Sequence, residues 1–278
     1  MSVDDQIAVQ KVVKNSGTSF FWGMNVLNKD KKRAMFSIYA FCRIVDDIAD
    51  DLTNKKIKQI KLKAWKRRIR ELYRFKVGKT SIERELLLSI EKFQLEKQDF
   101  NSIINGMMMD AKENIKFPSR KYLHLYCDRV AVAVGYLSIK IFGLSEKERK
   151  YAFYLGRAFQ LTNIVRDFYE DMIKGRCYIP KDLLSKYKMK KKLKTIIDEQ
   201  NLQSIFQDIL SEANNYYERS LIESKKISKK KIIASEIMKV FYKALHSKMY
   251  KKKINIRSRV KLNYIEKIFF LFNFFARY

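Results

Sequence analysis

The chain has 278 residues, a formal net charge of +29 and 47% hydrophobic residues, with only eight glycines and two prolines. So few turn formers exclude a fold of many short strands and tight hairpins, and the apolar share excludes a chain too polar to build a core. Three widely spaced cysteines and two histidines, with no CxxC or Cys/His cluster, exclude a disulfide framework and a structural zinc.

Residues 16–27, SGTSFFWGMNVL, begin with small polar capping types and turn aromatic. Asp30 is placed to cap the next helix, which runs without Gly or Pro to Asp51. Its apolar positions Met35, Ile38, Phe41, Val45 and Ile48 recur every three or four residues, the helical period. Residues 55–77 read as an amphipathic helix with a basic face, and 82–113 as two helices, the second ending near GMMMD at 106–110. Pro118 marks a break; 119–142 and 146–173 follow as two long helices. Gly175 and Pro180 bound the turn GRCYIP, residues 185–195 are basic and irregular, and two or three helices fill 196–251. The end differs: from residue 268 the chain is almost wholly apolar, with FFLFNFFA at 269–276 and Lys261, Lys267 and Arg277 nearby. No strand alternation, repeat or linker interrupts the chain, so one all-α domain over residues 1–278 is expected.

The charge excess is mostly lysine, spread over the whole chain. Nucleic-acid binding, attraction to anionic lipid headgroups and an AT-rich coding bias each produce such a balance. A basic nucleic-acid-binding helical protein has no use for paired aspartates, so no nucleic-acid partner is expected. No secretory leader pattern and no run of about 18 apolar residues is present, which predicts a cytoplasmic protein. The apolar tail either packs on the core or lies peripherally on an anionic membrane surface.

CRIVDDIADD, residues 42–51, crowds four aspartates into one helical stretch. Asp46 and Asp50 sit at i and i+4 on one face, and Asp47 and Asp51 on another, turned by about 100°. Each like-charged pair costs about 0.2–0.5 kcal/mol unless a cation offsets it. The spacing recurs in NIVRDFYED, residues 163–171, where Gln160, Asn163, Asp167 and Asp171 make one polar stripe. A lone DxxxD is usually a solvated face, but two of them, one inside an aromatic helix, point to a cage of hard oxygen ligands. That suits Mg²⁺, completed by water and phosphate oxygens, which holds a diphosphate and neutralises it as it leaves. Arg43 and Arg166 stand beside these carboxylates as charge-assisted donors.

SGTSFFWGMNVL, YAFCRIVDDIADD, YCDRVAVAVG and GRAFQLTNIVRDFYEDMIKGRCYIP, in this order, resemble the signature blocks of the squalene/phytoene synthases. Their detail is most similar to the bacterial presqualene diphosphate synthases of hopanoid pathways. The resemblance implies an all-α isoprenoid synthase bundle around a deep apolar cavity, and a prenyltransferase joining two prenyl diphosphates head to head. It places Asp46, Asp50, Asp167, Asp171 and Asn163 on the metal side, and Gln160, Arg43 and Arg166 around the diphosphate. It places Ser19, Phe20 and Tyr39 near the substrate head, Tyr126 and Val130 on the cavity wall, and Tyr178 in a flap turn. Tyr242 aligns with a late family tyrosine. Tyr39 or Tyr126 is placed to relay a proton or steady a cation with its ring. The expected substrate is farnesyl diphosphate and the product presqualene diphosphate. Phytoene synthase, using C20 substrates, and squalene synthase, using NADPH, stand as alternatives, although no GxGxxG dinucleotide fingerprint occurs. Met24, Met35 and Met107 to Met109 are expected to help line the cavity, Val132 to narrow it, and Asp110 to partner a buried cation.

Overall fold

The computed structural model describes residues 3–112, 115–193, 195–198, 200–251 and 255–277; the side chains of residues 112, 198 and 277, the last a basic neighbour of the tail, lie outside that description. The chain folds into α1 (Val3–Asn15), α2 (Phe20–Asn25), α3 (Lys29–Asp50), α4 (Lys55–Phe75), α5 (Ser81–Phe93), α6 (Lys97–Lys112), α7 (Arg120–Cys127), α8 (Ala133–Phe142), α9 (Arg149–Arg166), α10 (Phe168–Ile173), α11 (Lys181–Lys186), α12 (Leu202–Ser224), α13 (Lys229–Lys251) and α14 (Tyr264–Arg277). A parallel bridge between Lys116 and Cys177 is the one β-type pairing among the described residues.

Helix α3 runs through the centre because nine of its residues, from Ala34 to Ala49, are buried. It packs on α1, α5, α6 and α8, while α9 lies along α12 and α2 sits on α13. Local signals set the ends. Asn28, rather than Asp30, caps α3, its side chain accepting from Lys31 N–H; Asp30 lies inside the first turn, where its charge meets the helix dipole. Thr80 and Glu83 close a capping box on α5. Helix α6 continues past the methionine run to Lys112.

Both long helices expected over 119–142 and 146–173 are interrupted. Residues Asp128–Val132 form a π-helical turn between α7 and α8, with Ala133 N–H donating to the Asp128 carbonyl. Arg157 clamps this turn through two bonds to the Asp128 carboxylate, 2.7 and 2.8 Å. The extra residue changes which side chains face inward. Val130, Ala131 and Val134 line the cavity, whereas Val132 does not: it is buried, with its backbone against Gly156. Val132 therefore does not narrow the cavity.

Gly106 of α6 lets this turn approach closely. A Cβ there would lie 2.4 Å from Val130 Cγ1, and valine is stiff about χ1. Gly106→Ala gains about 1 kcal/mol of helix propensity. Overpacking costs about 1–3 kcal/mol. The expected result is a lower denaturation midpoint, with Val130 driven into the cavity and turnover reduced; an unchanged midpoint by urea titration would contradict the packing described.

Candidate active site

Two cavities meet inside the bundle. The outer one, about 730 Å³, carries Asp46 and Asp50 from the end of α3 and Asp167 and Asp171 from the α9–α10 junction on one wall system. The inner one, about 260 Å³, is enclosed by apolar side chains of α2, α3, α8, α9 and α13 and the π turn. Phe20, Tyr39, Cys42, Val130, Gln160, Asn163 and Tyr242 border both and form the throat. Ser19, Arg43, Tyr126, Arg166 and Tyr178 also border the outer cavity, so every residue singled out for the site lies on its wall. Met24 and Met35 line the inner cavity and Met107 the outer one. Met108 and Met109 line neither; Met109 packs into the core.

The polar stripe of 160, 163, 167 and 171 is not on one straight helix. Helix α9 ends at Arg166, and Asp167 has φ −99° and ψ 7°, at once the C-cap of α9 and the N-cap of α10. The bonds Asp167 N–H to Asn163 O (2.8 Å) and Asp171 N–H to Asp167 O (2.9 Å) persist, so the stripe keeps its direction through the break.

The carboxylates are crowded and the surrounding cations only partly answer them. Burial and then the charge of Asp50 push Asp46 up to about 7, and burial with the charge of Asp167 pushes Asp171 up to about 8. Asp50 goes the other way: burial opposes its charge, but hydrogen bonds from Lys174 Nζ and Arg176 Nη1, each 2.6 Å, hold it low. Both cations come from the turn after α10, so the second acidic segment reaches across the cavity to the first. Asp167 accepts from Arg166 at 2.7 and 2.6 Å and pairs with Arg259 at 2.8 Å, which also meets Glu170 at 3.4 Å. Arg43 bridges Asp46 and Asp47.

The metal-side residues offer hard oxygens in the chemistry Mg²⁺ prefers. Asn163 borders the throat, and its Oδ1 is buried with no hydrogen-bond partner among the described residues, a polar oxygen that a cation would satisfy. Neither histidine borders the outer cavity: His124 bonds Glu212, and His246 bonds the Leu210 carbonyl. Among the described residues no three acidic, histidine or cysteine side chains already gather closely enough to hold a metal alone. The arrangement is an open set of ligands rather than a closed cage.

Asp110 stands beside a buried cation, Arg176, as its sequence suggested, and takes two phenols as well. Its two oxygens accept from Tyr126 Oη (2.9 Å) and Tyr178 Oη (2.7 Å), whose rings stack with centroids 4.9 Å apart. Burial pushes Asp110 up to about 6 and both phenols far above their usual range. Arg176 lies near as a charge but bonds Asp50 and the Ala49 carbonyl. This triad ties α6, α7 and the flap turn together, and the flap is fixed further by Cys177 N–H to Ile115 O and Phe117 N–H to Cys177 O. Tyr39 donates to Ser16 Oγ at 3.0 Å, its ring 6.3 Å from that of Phe20.

Lys174, Arg176, Phe159 and Arg259 were not singled out by sequence. The first two lie inside the quoted block that ends in GRCYIP, where a cation beside DxxxD was a readable signal. Phe159, stacked 4.2 Å from Tyr242 in the throat, reads as ordinary core spacing. Arg259 lies far along the chain and carries no local signal.

The family model for squalene/phytoene synthase matches residues 13–266. The chain belongs to the squalene/phytoene synthase family. Among curated members, it is 38% identical over 268 residues to a presqualene diphosphate synthase of Zymomonas mobilis, covering 94% of this chain and 89% of that one. It is 44% identical over 171 residues to the presqualene diphosphate synthase of Rhodopseudomonas palustris, 61% of each chain. A chloroplastic phytoene synthase of Zea mays is 31% identical over 63% of this chain and 42% of its own. Among solved structures, a dehydrosqualene synthase superposes with a TM-score of 0.79 at 24% identity, covering 99% and 98%. A squalene synthase from Alicyclobacillus acidocaldarius gives 0.79 at 19% identity, covering 89% and 94%. The all-α isoprenoid synthase fold is that of the family.

Proposed function

We propose that the chain condenses two farnesyl diphosphates head to head into presqualene diphosphate, in the cytoplasm or at the inner face of its membrane. The observation that carries this reading is the pairing of one polar mouth, bearing both acidic segments and a ring of cations, with one apolar channel behind a shared throat. A prenyl diphosphate has the same two-part chemistry: a multiply charged head and a long hydrocarbon tail. The presqualene diphosphate synthases are the more similar relatives, and the phytoene synthases the more distant.

Asp46, Asp50, Asn163, Asp167 and Asp171 would hold Mg²⁺ together with diphosphate oxygens. When bound, the ion neutralises charge on a leaving diphosphate. Arg43, Arg166, Lys174, Arg176 and Arg259 surround the same space and add charge-assisted donors as the allylic C–O bond breaks. The tail lies among Met35, Ile38, Val134, Ile139 and Phe159, where water is excluded and the allylic cation survives. Tyr39, Phe20 and Tyr242 stand at the throat, with Phe159 stacked on Tyr242 behind it, and supply aromatic rings where positive charge develops. The second substrate's double bond attacks, a proton leaves and the cyclopropane closes. Tyr126 and Tyr178 are committed as donors to Asp110 and held protonated, so the departing diphosphate is the base at hand for that proton.

The test is incubation with Mg²⁺ and radiolabelled C15 or C20 diphosphate, with and without NADPH. Presqualene diphosphate from the C15 substrate is expected in both conditions. Squalene formed only with NADPH, or phytoene from the C20 substrate in preference, would replace this reading by the corresponding family activity.

A further inference from the structure

We infer that α14 is a docking surface for an anionic lipid bilayer, seated beside the mouth of the cavity; this rests on the prenyl diphosphate reading only for its purpose, not for its geometry. The helix is built and anchored. Asn263 caps it, its Oδ1 accepting from Glu266 N–H while Glu266 accepts from Asn263 N–H, both 2.8 Å. Lys248 of α13 pairs with Glu266, and the Tyr264 ring meets Trp22 at 5.5 Å. Phe270, Leu271 and Phe274 lie partly buried against the core.

The opposite face is apolar too, and it is exposed. Ile265, Ile268, Phe269 and Phe272 fall at i, i+3, i+4 and i+7, one stripe of the helix, with Ile265 77% and Phe272 72% exposed. A helix that packs one apolar face inward ordinarily turns polar residues to water; here four large hydrophobic side chains meet it in a row. With 14 residues α14 is too short to span a bilayer, and no helix among the described residues is long and apolar enough to do so. It has the dimensions of a helix lying in the interface plane.

Charge selects the occupant. The chain carries a net charge of +29, and Arg257 and Lys261 lie in the segment that leads into α14, while Lys267 stands on the side of the helix away from the stripe. Two copies pressed together through this face would bring two chains of +29 together, whereas an anionic lipid surface offers acyl chains to the stripe and opposite charge to the chain. Lys261 and Lys267 line the outer cavity, so α14 borders the mouth with one face and turns the stripe outward with the other. Amphiphilic substrates and a more apolar product are exchanged there.

The test uses the full chain and vesicles of phosphatidylcholine with or without phosphatidylglycerol, read by flotation. Wild-type protein is expected to float with the phosphatidylglycerol vesicles and at least about tenfold less with pure phosphatidylcholine. The double variant Phe269→Glu/Phe272→Glu is expected to lose about tenfold or more of the binding while keeping turnover of detergent-dispersed substrate. A Phe272→Trp probe is expected to shift its emission to the blue on adding the anionic vesicles, which attraction by surface lysines alone would not produce. Wild-type protein that stays unbound, a double variant that floats as well as wild type, or an unshifted probe overturns the inference. So does a wild-type dimer, in sedimentation, that the double variant loses without any vesicle binding. Flotation, emission and sedimentation do not depend on turnover, so failure in them leaves the condensation reading standing.

Discussion

Asp46→Ala and Asp167→Ala are both expected to lower turnover by about 10³-fold, and to move stability in opposite directions. Asp46 is a charge the fold accommodates poorly: burial and Asp50 push its carboxyl up to about 7, and Arg43 answers it at only 3.7 Å while bonding Asp47 more closely. Removing it relieves like-charge crowding, so the metal-free variant should melt at or slightly above the wild-type temperature; a gain of about 1 kcal/mol corresponds to about 2 °C in a chain of this size. Asp167 is the common acceptor of Arg166 and Arg259, and the Arg166 side chain is only 14% exposed. Its loss leaves Arg166 without its carboxylate and Arg259 with only Glu170, at 3.4 Å. Breaking a buried pair costs about 3–5 kcal/mol, and the open mouth reduces this to about 1–3 kcal/mol here. Both proteins should keep the wild-type helical circular dichroism. Near-normal turnover in either variant would remove these aspartates from the diphosphate machinery; equal melting temperatures would show that the ion pairs described do not act as drawn.

What was legible in the sequence follows from where the information sits. The helices of residues 29–112 were readable because period, caps and scarce glycine all act over a few residues. The breaks at Asp128–Val132 and at Asp167 were not, because the segments around them keep helical spacing and contain no proline. Tertiary contacts accompany both: the Arg157–Asp128 clamp at the first, and the Arg259–Asp167 pair, from a segment about 90 residues on, at the second. The same division runs through the site. DxxxD spacing and the quoted blocks mark the acidic walls, and the cations of the flap lie in the same blocks. Arg259 reaches Asp167 only because the segment before α14 crosses the mouth, a contact between residues about 90 positions apart that no local pattern encodes. Val132 and Asp110 show the limit from the other side. Residue type and neighbours suggested their roles, but a π turn redirects the first, and the second meets, besides the buried Arg176, two phenols that nothing near it in sequence announces.

Phe142→Ala is expected to let the chain accept C20 diphosphate. The channel follows α8 from Val130 at the throat through Val134 and Ser138 to Phe142, twelve residues or about 18 Å of helix. Phe142 and Tyr151 both line the channel, and Phe142, about three turns past Val130, is the last residue of α8 before the left-handed turn at Gly143. A fourth isoprene unit has to find room where that ring stands. Truncation opens the end along the channel axis, whereas widening at Val130 changes only the throat. A methylene-sized change in an apolar pocket alters selectivity about 10- to 200-fold, so the C20-to-C15 ratio of kcat/KM should rise by at least about tenfold. The stability cost stays below the usual 3–5 kcal/mol or so for Phe→Ala in a packed core, because the ring already faces a cavity. Tyr151→Phe is the control: it removes the hydroxyl that meets Ser235 Oγ at 2.7 Å and Glu236 at 2.8 Å without adding depth, and should leave the ratio unchanged. If folded Phe142→Ala keeps the wild-type ratio, the end wall does not set chain length and selection must lie at the throat, where Phe20, Val130 and Tyr242 face the tail as it enters.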